Sequence, residues 1–138
     1  MYSNECEKNR DYYHETFINK TDIDQLILSA LAKNKARICL HSSTQDNIQE
    51  MLVAMSKDYN FKPIKHNDKV VTFHVIHGSA DLNIYDSSGN KINSIQMSKE
   101  QNFIIRLDGR RFTNFTVNSD CFVVHEVIEG PFLNQNNI

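Results

Sequence analysis

The stretch Pro-Ile-Lys-His-Asn-Asp-Lys-Val-Val-Thr-Phe-His-Val-Ile-His-Gly, residues 63–78, contains the clearest strand pattern of the chain. Successive side chains of a strand point to opposite faces. One face of residues 70–77 carries Val71, Phe73, Val75 and His77, and the other carries Val70, Thr72, His74 and Ile76. Both faces are mostly apolar, so we expect a central strand, covered by the domain interior on one side and by a helix or a second subunit on the other. The two histidines, His74 and His77, then serve no common site unless the strand bulges.

Seven further short runs on either side of this stretch have strand-like composition and are separated by turn residues. They are residues 37–41, 50–55, 81–86, 91–95, 103–107, 112–118 and 121–127. The link Asp-Ser-Ser-Gly-Asn at residues 86–90 has the residues that a tight hairpin needs, and Gly78 is placed where another strand must bend. Eight closely spaced strands predict a sandwich or a barrel.

One helix is predicted before the strands. The apolar residues Ile23, Leu26, Ile27, Ala30 and Leu31 follow helical spacing. Their pattern predicts a helix near residues 22–33, with Thr21 and Asp24 as a capping pair. We divide the chain into a polar arm at residues 1–20, which is either mobile or packed on a partner subunit, a helical region at 21–36, a β-barrel at 37–132 and a flexible tail at 133–138.

Composition excludes several classes of partner. The 138 residues are 40% hydrophobic and 23% charged, with a net charge of -2, so a basic nucleic-acid-binding surface is not expected. Residues 1–20 lack the apolar segment of a signal peptide, and no window approaches about 18 consecutive apolar residues, so we expect no membrane association. Cys6, Cys39 and Cys121 are odd in number and widely spaced, which predicts neither a disulfide framework nor a zinc site. A cytoplasmic location is the simplest expectation.

Five segments of the sequence together resemble those of a known family. They are Arg-Ile-Cys-Leu-His (37–41), Pro-Ile-Lys-His (63–66), Thr-Phe-His-Val-Ile-His-Gly (72–78), Asp-Ser-Ser-Gly-Asn (86–90) and His-Glu-Val-Ile-Glu-Gly-Pro-Phe (125–132). Over roughly residues 37–132 the chain resembles the WbuC family of cupin-fold metalloproteins, and the last segment is the most specific. The resemblance implies a mainly β fold, a cupin-type jelly-roll barrel preceded by one α-helix. It also implies a homodimer and a link to surface-polysaccharide biosynthesis.

The metal ligands of such cupins are a His-x-His pair, a Glu and a later His. The resemblance assigns these positions to Ile64, His66, Val71 and Thr113, of which only His66 keeps a metal-binding side chain. A transition metal needs about three protein ligands, so we expect neither a metal nor another cofactor. Aliphatic replacements also avoid an unpaired buried carboxylate, which is costly in a barrel interior. A metal-dependent dioxygenase or isomerase is therefore disfavoured; if a metal were bound, His66 with His77 or His125 would be the place to look.

The predicted site is the barrel pocket around the former metal position. Its residues are Ile64, His66, Val71, Phe73, Tyr85, Arg106, Thr113 and Phe115. The preferred hypothesis is a homodimeric protein that binds a sugar or sugar nucleotide in this pocket, or that is purely structural. The alternative is a metal-independent sugar isomerase or epimerase that uses His66 as general base and Tyr85 as acid.

Two features have an ordinary structural interpretation beside the functional one. His66 is either a general base or an imidazole hydrogen-bonded to the barrel wall. The arginines Arg106, Arg110 and Arg111 near Gly109 either bind the phosphates of a nucleotide sugar or belong to a solvated turn. His74 and His125 are interpreted as structural or interface histidines.

Overall fold

The computed structural model describes residues 15–132 and, for the backbone alone, residues 136–137. Within these residues there are one helix and ten strands. They are α1 (Lys20–Lys33), β1 (Lys35–Cys39), β2 (Ile48–Ser56), β3 (Ile64–Lys65), β4 (Val71–His77), β5 (Ala80–Tyr85), β6 (Lys91–Met97), β7 (Ile104–Leu107), β8 (Phe112–Val117), β9 (Cys121–Glu129) and β10 (Asn136–Asn137).

The strands form two antiparallel sheets of five strands each. The first sheet has the order β1-β2-β9-β4-β7, and the second has the order β10-β3-β8-β5-β6. Each sheet therefore combines strands that are distant in the chain, as in a jelly roll. The prediction of a mainly β fold with one preceding helix is confirmed.

The central position of β4 follows from its two apolar faces. Val71, Phe73 and Val75 are buried in the core between the two sheets. Ile76, on the opposite face, packs in a second apolar cluster between the first sheet and α1. The inner face of β4 and the Ile76 end of its outer face are thus covered as expected. His77 departs from its expected face: the pairing with β9 shifts register between Val75 and His77, and His77 is exposed.

The helix begins two residues earlier than its apolar spacing predicts. Asn19 is the N-cap: its side chain accepts a hydrogen bond from the backbone of Asp22, and the Asp22 carboxylate accepts one from the backbone of Asn19. The predicted capping pair of Thr21 and Asp24 is therefore wrong, because Thr21 already lies inside the helix and Asp24 pairs instead with Lys20 at 3.1 Å. The cap is an asparagine with an aspartate three residues later, a variant of the usual box.

All eight predicted runs are strands, with ends shifted by at most two residues. The two strands that were missed, β3 and β10, are two residues long each and pair with one another. β10 falls within the predicted flexible tail, whose other residues lie outside the described part of the chain, as do residues 1–14 of the predicted arm.

Two glycines have the backbone conformation that their turns require. Gly89 has φ +87° in the hairpin between β5 and β6, where Asp86 accepts hydrogen bonds from the backbone of Ser88 and Asn90. Gly109 has φ +80°, and a Cβ atom there would lie 1.9 Å from the carbonyl oxygen of Lys69. Only glycine fits that close approach, which holds the β7–β8 loop against the segment before β4.

The outer edge of the second sheet is β6. The backbone N–H of Ser94 donates to the side chain of Asn93 at 2.8 Å, and the side chain of Asn102 donates to the carbonyl of Gln96 at 2.9 Å. Side chains of the same chain therefore satisfy backbone groups along this edge.

The two described cysteines differ in bonding state. Cys39, a buried residue of β1, is disulfide-bonded. Cys121 is free and buried, and burial raises the pKa of its thiol. Among the described residues no helix is long and apolar enough to span a membrane.

Candidate functional site

The positions that the sequence resemblance assigned to metal ligands lie in or beside apolar packing. Ile64 on β3 lies opposite Thr113 on β8, and Val71 is completely buried. The rings of Phe73 and Phe115 meet edge to face at 5.0 Å between the sheets. The predicted pocket residues Ile64, Val71, Phe73, Thr113 and Phe115 thus form or adjoin a packed interior.

His66 lies beside this interior and is only 5% exposed. Its ring lies 6.4 Å from the Phe73 ring, and its backbone N–H donates to the carbonyl of Gly109 at 3.1 Å. Burial lowers the pKa of His66, although the nearby carboxylate of Glu126 acts in the opposite direction. The imidazole is therefore neutral at neutral pH.

The space next to His66 is small. A cavity of about 20 Å³ lies between His66, Gln49, Lys69 and Ile128. A cavity needs roughly 10–15 Å³ of such volume for one water molecule, so this one has room for a water and not for a sugar ring. Among the described residues, this cavity therefore does not supply the substrate space that the alternative hypothesis of an isomerase with His66 as base requires.

The interior also contains a polar side chain that the sequence interpretation missed. Glu126 shares strand parity with the core residues Val124 and Ile128, so it points between the sheets, whereas its neighbour His125 points to the other face. Its carboxylate acts on both His66 and His41, and burial lowers the pKa of His41. Strand parity within residues 121–127 was the signal that could have identified Glu126.

The side chains around His66 do not form a set of ligands for a metal ion. Within the described residues no group of three or more His, Cys, Asp or Glu side chains is arranged to hold one. Of the positions that the sequence resemblance assigned to metal ligands, only His66 has an imidazole or carboxylate, and Ile64 and Val71 offer no electron pair. We therefore derive no chemistry through a metal at this position.

Tyr85 and Arg106 lie outside the predicted pocket, because the side chains of both are on the outer faces of the sheets. The hydroxyl of Tyr85 donates to the side chain of Asn114 at 3.1 Å, and Asn114 alternates with the inward-facing Thr113 and Phe115. Arg106 is exposed and stands between Ile105 and Leu107, which pack on the core. Neither side chain can reach His66, so the predicted His66–Tyr85 acid–base pair does not form.

Tyr85 instead lines a surface cleft of about 480 Å³ at one end of the second sheet. The cleft lies between the β5–β6 hairpin and the β7–β8 loop. Its lining residues are Lys65, Tyr85, Asp86, Ser87, Asp108, Arg110, Arg111 and Phe112. Two of the three arginines predicted to act together, Arg110 and Arg111, are therefore brought together here, whereas Arg106 is not.

The carboxylates of this cleft are already engaged. Asp108 accepts hydrogen bonds from the Arg110 guanidinium, and this contact lowers the pKa of Asp108 and raises that of Arg110. Asp86 accepts backbone hydrogen bonds within its hairpin, chiefly from Asn90, which lower the pKa of Asp86. Arg111 forms no ion pair with any residue of the described chain, although its charge also helps to lower the pKa of Asp108. The lining has three cations, Lys65, Arg110 and Arg111, and two carboxylates, so one positive charge is left over.

Next to the cleft, the outer face of the second sheet carries a network of amide and hydroxyl groups. Asn83, only 3% exposed, donates to Asn114 at 3.0 Å and to Thr116 at 2.9 Å, and accepts from Ser94 at 3.0 Å. Asn114 links this network to Tyr85. The Tyr85 hydroxyl at the cleft is thereby held in one orientation.

Comparison with known proteins identifies the family. A family model described as a domain of unknown function, DUF6016, matches residues 18–97, more than half of the chain. The chain belongs to the DUF6016 family. The match includes α1 and β1 to β6, so it covers the helix, the segment between β3 and β4 that contains His66, and the strand that contains Tyr85. No curated protein matches this member of the family.

Solved structures establish the fold of this DUF6016 chain as a cupin. It is similar to a cupin 2 conserved barrel protein from Rhodopseudomonas palustris, with TM-score 0.58, 10% identity and 75% of the chain covered. For a cupin-2 domain from Rhodospirillum rubrum the TM-score is 0.60, with 8% identity and 76% of the chain covered. For procruciferin, an 11S globulin from Brassica napus, the TM-score is 0.55, with 13% identity and 66% of the chain covered. The chain spans 66% of the length of each bacterial protein and 23% of procruciferin. At these identities the likeness concerns the fold alone.

Proposed function

We propose that this DUF6016 protein is a cupin that binds a small phosphate-bearing sugar, such as a nucleotide sugar, in the surface cleft between the β5–β6 hairpin and the β7–β8 loop. The observation that carries the proposal is the combination of cationic and aromatic side chains around one cleft of about 480 Å³. The resemblance to the WbuC family adds a link to surface-polysaccharide biosynthesis, whose precursors are sugars of this kind. The finer WbuC assignment and a cytoplasmic location are parts of the same proposal.

The phosphates are assigned to Arg111, Arg110 and Lys65. A guanidinium offers two parallel N–H donors to a phosphate, and such charge-assisted bonds are about twice as strong as neutral ones. Arg110 is oriented by Asp108 at 2.7 Å, which fixes one wall of the cleft. Together with Arg111 and Lys65, this arginine gives the cleft one more cation than it has carboxylates.

The sugar or base is assigned to the aromatic side of the cleft. Phe112 and Tyr85 are cross-strand neighbours on β8 and β5. The ammonium of Lys65 lies 5.8 Å from the centre of the Phe112 ring. Aromatic faces pack against the apolar face of a sugar or against a base, while the Tyr85 hydroxyl and its amide neighbours offer hydrogen bonds. The ligand is thus recognised at both ends.

Calorimetric titration with UDP-glucose, UDP and glucose tests the proposal. We expect UDP-glucose and UDP to bind, and Arg111→Ala to weaken both by roughly 10- to 100-fold, the loss of a charge-assisted hydrogen bond. Phe112→Ala should weaken UDP-glucose more than inorganic phosphate. Lys99→Ala, which removes an exposed cation beyond the far end of β6, is the control. Binding that is equal in Arg111→Ala and Lys99→Ala, or no binding of any phosphate-bearing sugar in a screen, refutes the proposal.

A further inference from the structure

The end of the most specific sequence segment, Gly-Pro-Phe at residues 130–132, closes a small cavity that the proposed function does not use. The backbone N–H of Gly130 donates to the carbonyl of Asn47 at 2.6 Å, which holds the segment against the loop between β1 and β2. The segment thereby forms one wall of the cavity of about 20 Å³ beside His66. The question is which ligand the polar groups around this cavity select.

Gln49 on β2 lines the same cavity and contributes a buried acceptor. The residue is 1% exposed, and its side-chain nitrogen donates to the carbonyls of Ser43 at 3.1 Å and Asp46 at 2.9 Å. Because carbonyl groups only accept hydrogen bonds, the amide must direct its nitrogen at them and its oxygen elsewhere. That oxygen, Oε1, is buried and has no hydrogen-bond partner among the described residues. A buried acceptor without a partner is unfavourable, so the site requires a hydrogen-bond donor.

Another wall of the cavity is a turn with a strained backbone. Residues 66–69 connect β3 to β4, and the backbone N–H of Lys69 donates to the carbonyl of His66 at 3.0 Å. The two central residues, Asn67 and Asp68, have φ of 55° and 62°, in the left-handed region that residues other than glycine rarely adopt. Such strain persists only where surrounding contacts determine the conformation, and it is concentrated at functional and ligand-binding positions.

The ammonium of Lys69 decides which ligand fits beside Gln49. It donates to the carbonyls of Gly130 at 2.9 Å and Pro131 at 3.4 Å, which uses two of its three N–H groups. A positive charge in the lining disfavours a bound cation, and the carbonyl oxygen of Gln49 disfavours a bound anion. The ligand must therefore be neutral and must both donate and accept hydrogen bonds. Water has these properties, and about 20 Å³ admits one water molecule.

We propose that this cavity is a binding site for one structural water molecule, held by Oε1 of Gln49 and shared with the turn at residues 66–69. The water donates to Gln49 and accepts from the turn, so it joins β2 to the segment before β4. Because β9 lies between β2 and β4 in the first sheet, the water spans a gap that no strand pairing bridges. It contributes one of the contacts that hold the strained turn in place.

NMR cross-relaxation between water and the carbon-bound protons of the full chain tests the site. Ile128 lines the cavity, whereas Ile92 on β6 is 50% exposed, so their methyl groups form a matched pair. We expect water cross-peaks at Ile128 with opposite signs in NOESY and ROESY spectra, the signature of a water that stays bound while the protein tumbles. Ile92 should lack this signature, because surface water exchanges too quickly. Its absence at Ile128 overturns the proposal.

Gln49→Met tests whether the amide oxygen holds the water. Methionine has a similar length and no oxygen, so we expect the signature at Ile128 to disappear and the spectrum of Ile92 to stay unchanged. Circular dichroism checks that the variant is folded; if it is not, a high-resolution crystal structure of the wild type should locate a water within about 3.2 Å of Gln49 Oε1. A signature that persists in folded Gln49→Met, or a wild-type crystal structure without a water at that distance, overturns the proposal.

Discussion

At the level of single residues, His66 has the environment of a core histidine. It is buried, packs against Phe73 and adjoins a cavity with room for one water. Its chemical type was evident from the sequence, and its inward orientation followed from the family pattern. Its confinement could not be predicted, because the cavity size depends on Ile128 and Gln49, which come from strands distant in the chain.

Burial of His66 makes stability depend on pH. The folded-state pKa lies below the ordinary value of 6.5 because burial disfavours the charged imidazolium. Between pH 6.5 and the folded-state pKa, the imidazole is protonated in the unfolded chain and not in the folded chain. The contribution of His66 to the free energy of unfolding is therefore complete above pH 6.5 and is lost as the pH falls toward the folded-state pKa. His41 acts in the same direction. We therefore expect the free energy of unfolding to fall on acidification below 6.5.

Urea denaturation at a series of pH values measures this dependence. His66→Gln, which cannot titrate, should unfold with a shallower loss of stability on acidification than wild type. His77→Gln, at an exposed histidine, is the matched control. An equally steep loss in the His66→Gln variant would contradict the assignment.

At the level of elements, periodicity predicted α1 and eight strands because each has enough residues for its pattern to repeat. β3 and β10 have two residues each, so no period exists to detect. The N-cap was misplaced because Thr21 is a good capping residue in isolation. The competing box of Asn19 and Asp22 satisfies two backbone N–H groups instead, and it extends the helix by two polar residues.

The N-cap of α1 can be tested by its effect on the free energy of unfolding. Asn19→Ala should lower the free energy of unfolding by about 1 kcal/mol, the usual effect of losing an N-cap side chain. Thr21→Ala, at an exposed position within the helix, should change it by less than about 0.5 kcal/mol. Chemical denaturation of both variants decides between the two capping pairs, and the reverse order of effects would favour Thr21.

At the level of the whole molecule, the sequence identified the cupin fold but misplaced part of the site. Tyr85 and Arg106 were assigned to the barrel interior, and each faces outward on a different sheet. Alternation alone fixes which residues share a face but not which face meets the core. That choice was correct on β4, where both faces are apolar, and wrong for Tyr85, whose strand has a mixed pattern.

The interior packing predicts that the fold does not depend on a metal. Because the interior is packed around Val71 and Phe73, and the described residues contain no ligand set, chelation should not loosen it. We expect EDTA to leave the thermal midpoint unchanged, and protein purified without chelator to contain no stoichiometric zinc, iron, nickel or manganese. A chelator-induced drop of several degrees that zinc reverses would contradict this expectation.

The side chains of Asn93 and Asn102 along β6 have a consequence for storage at high concentration. An unsatisfied strand edge is a template on which further molecules add, and such growth ends in fibrils or precipitate. Here the amide oxygen of Asn93 and the amide nitrogen of Asn102 occupy backbone groups that an incoming strand would need. We therefore expect the β6 edge to be a poor template for aggregation, even though only one of its seven residues, Lys91, carries a charge.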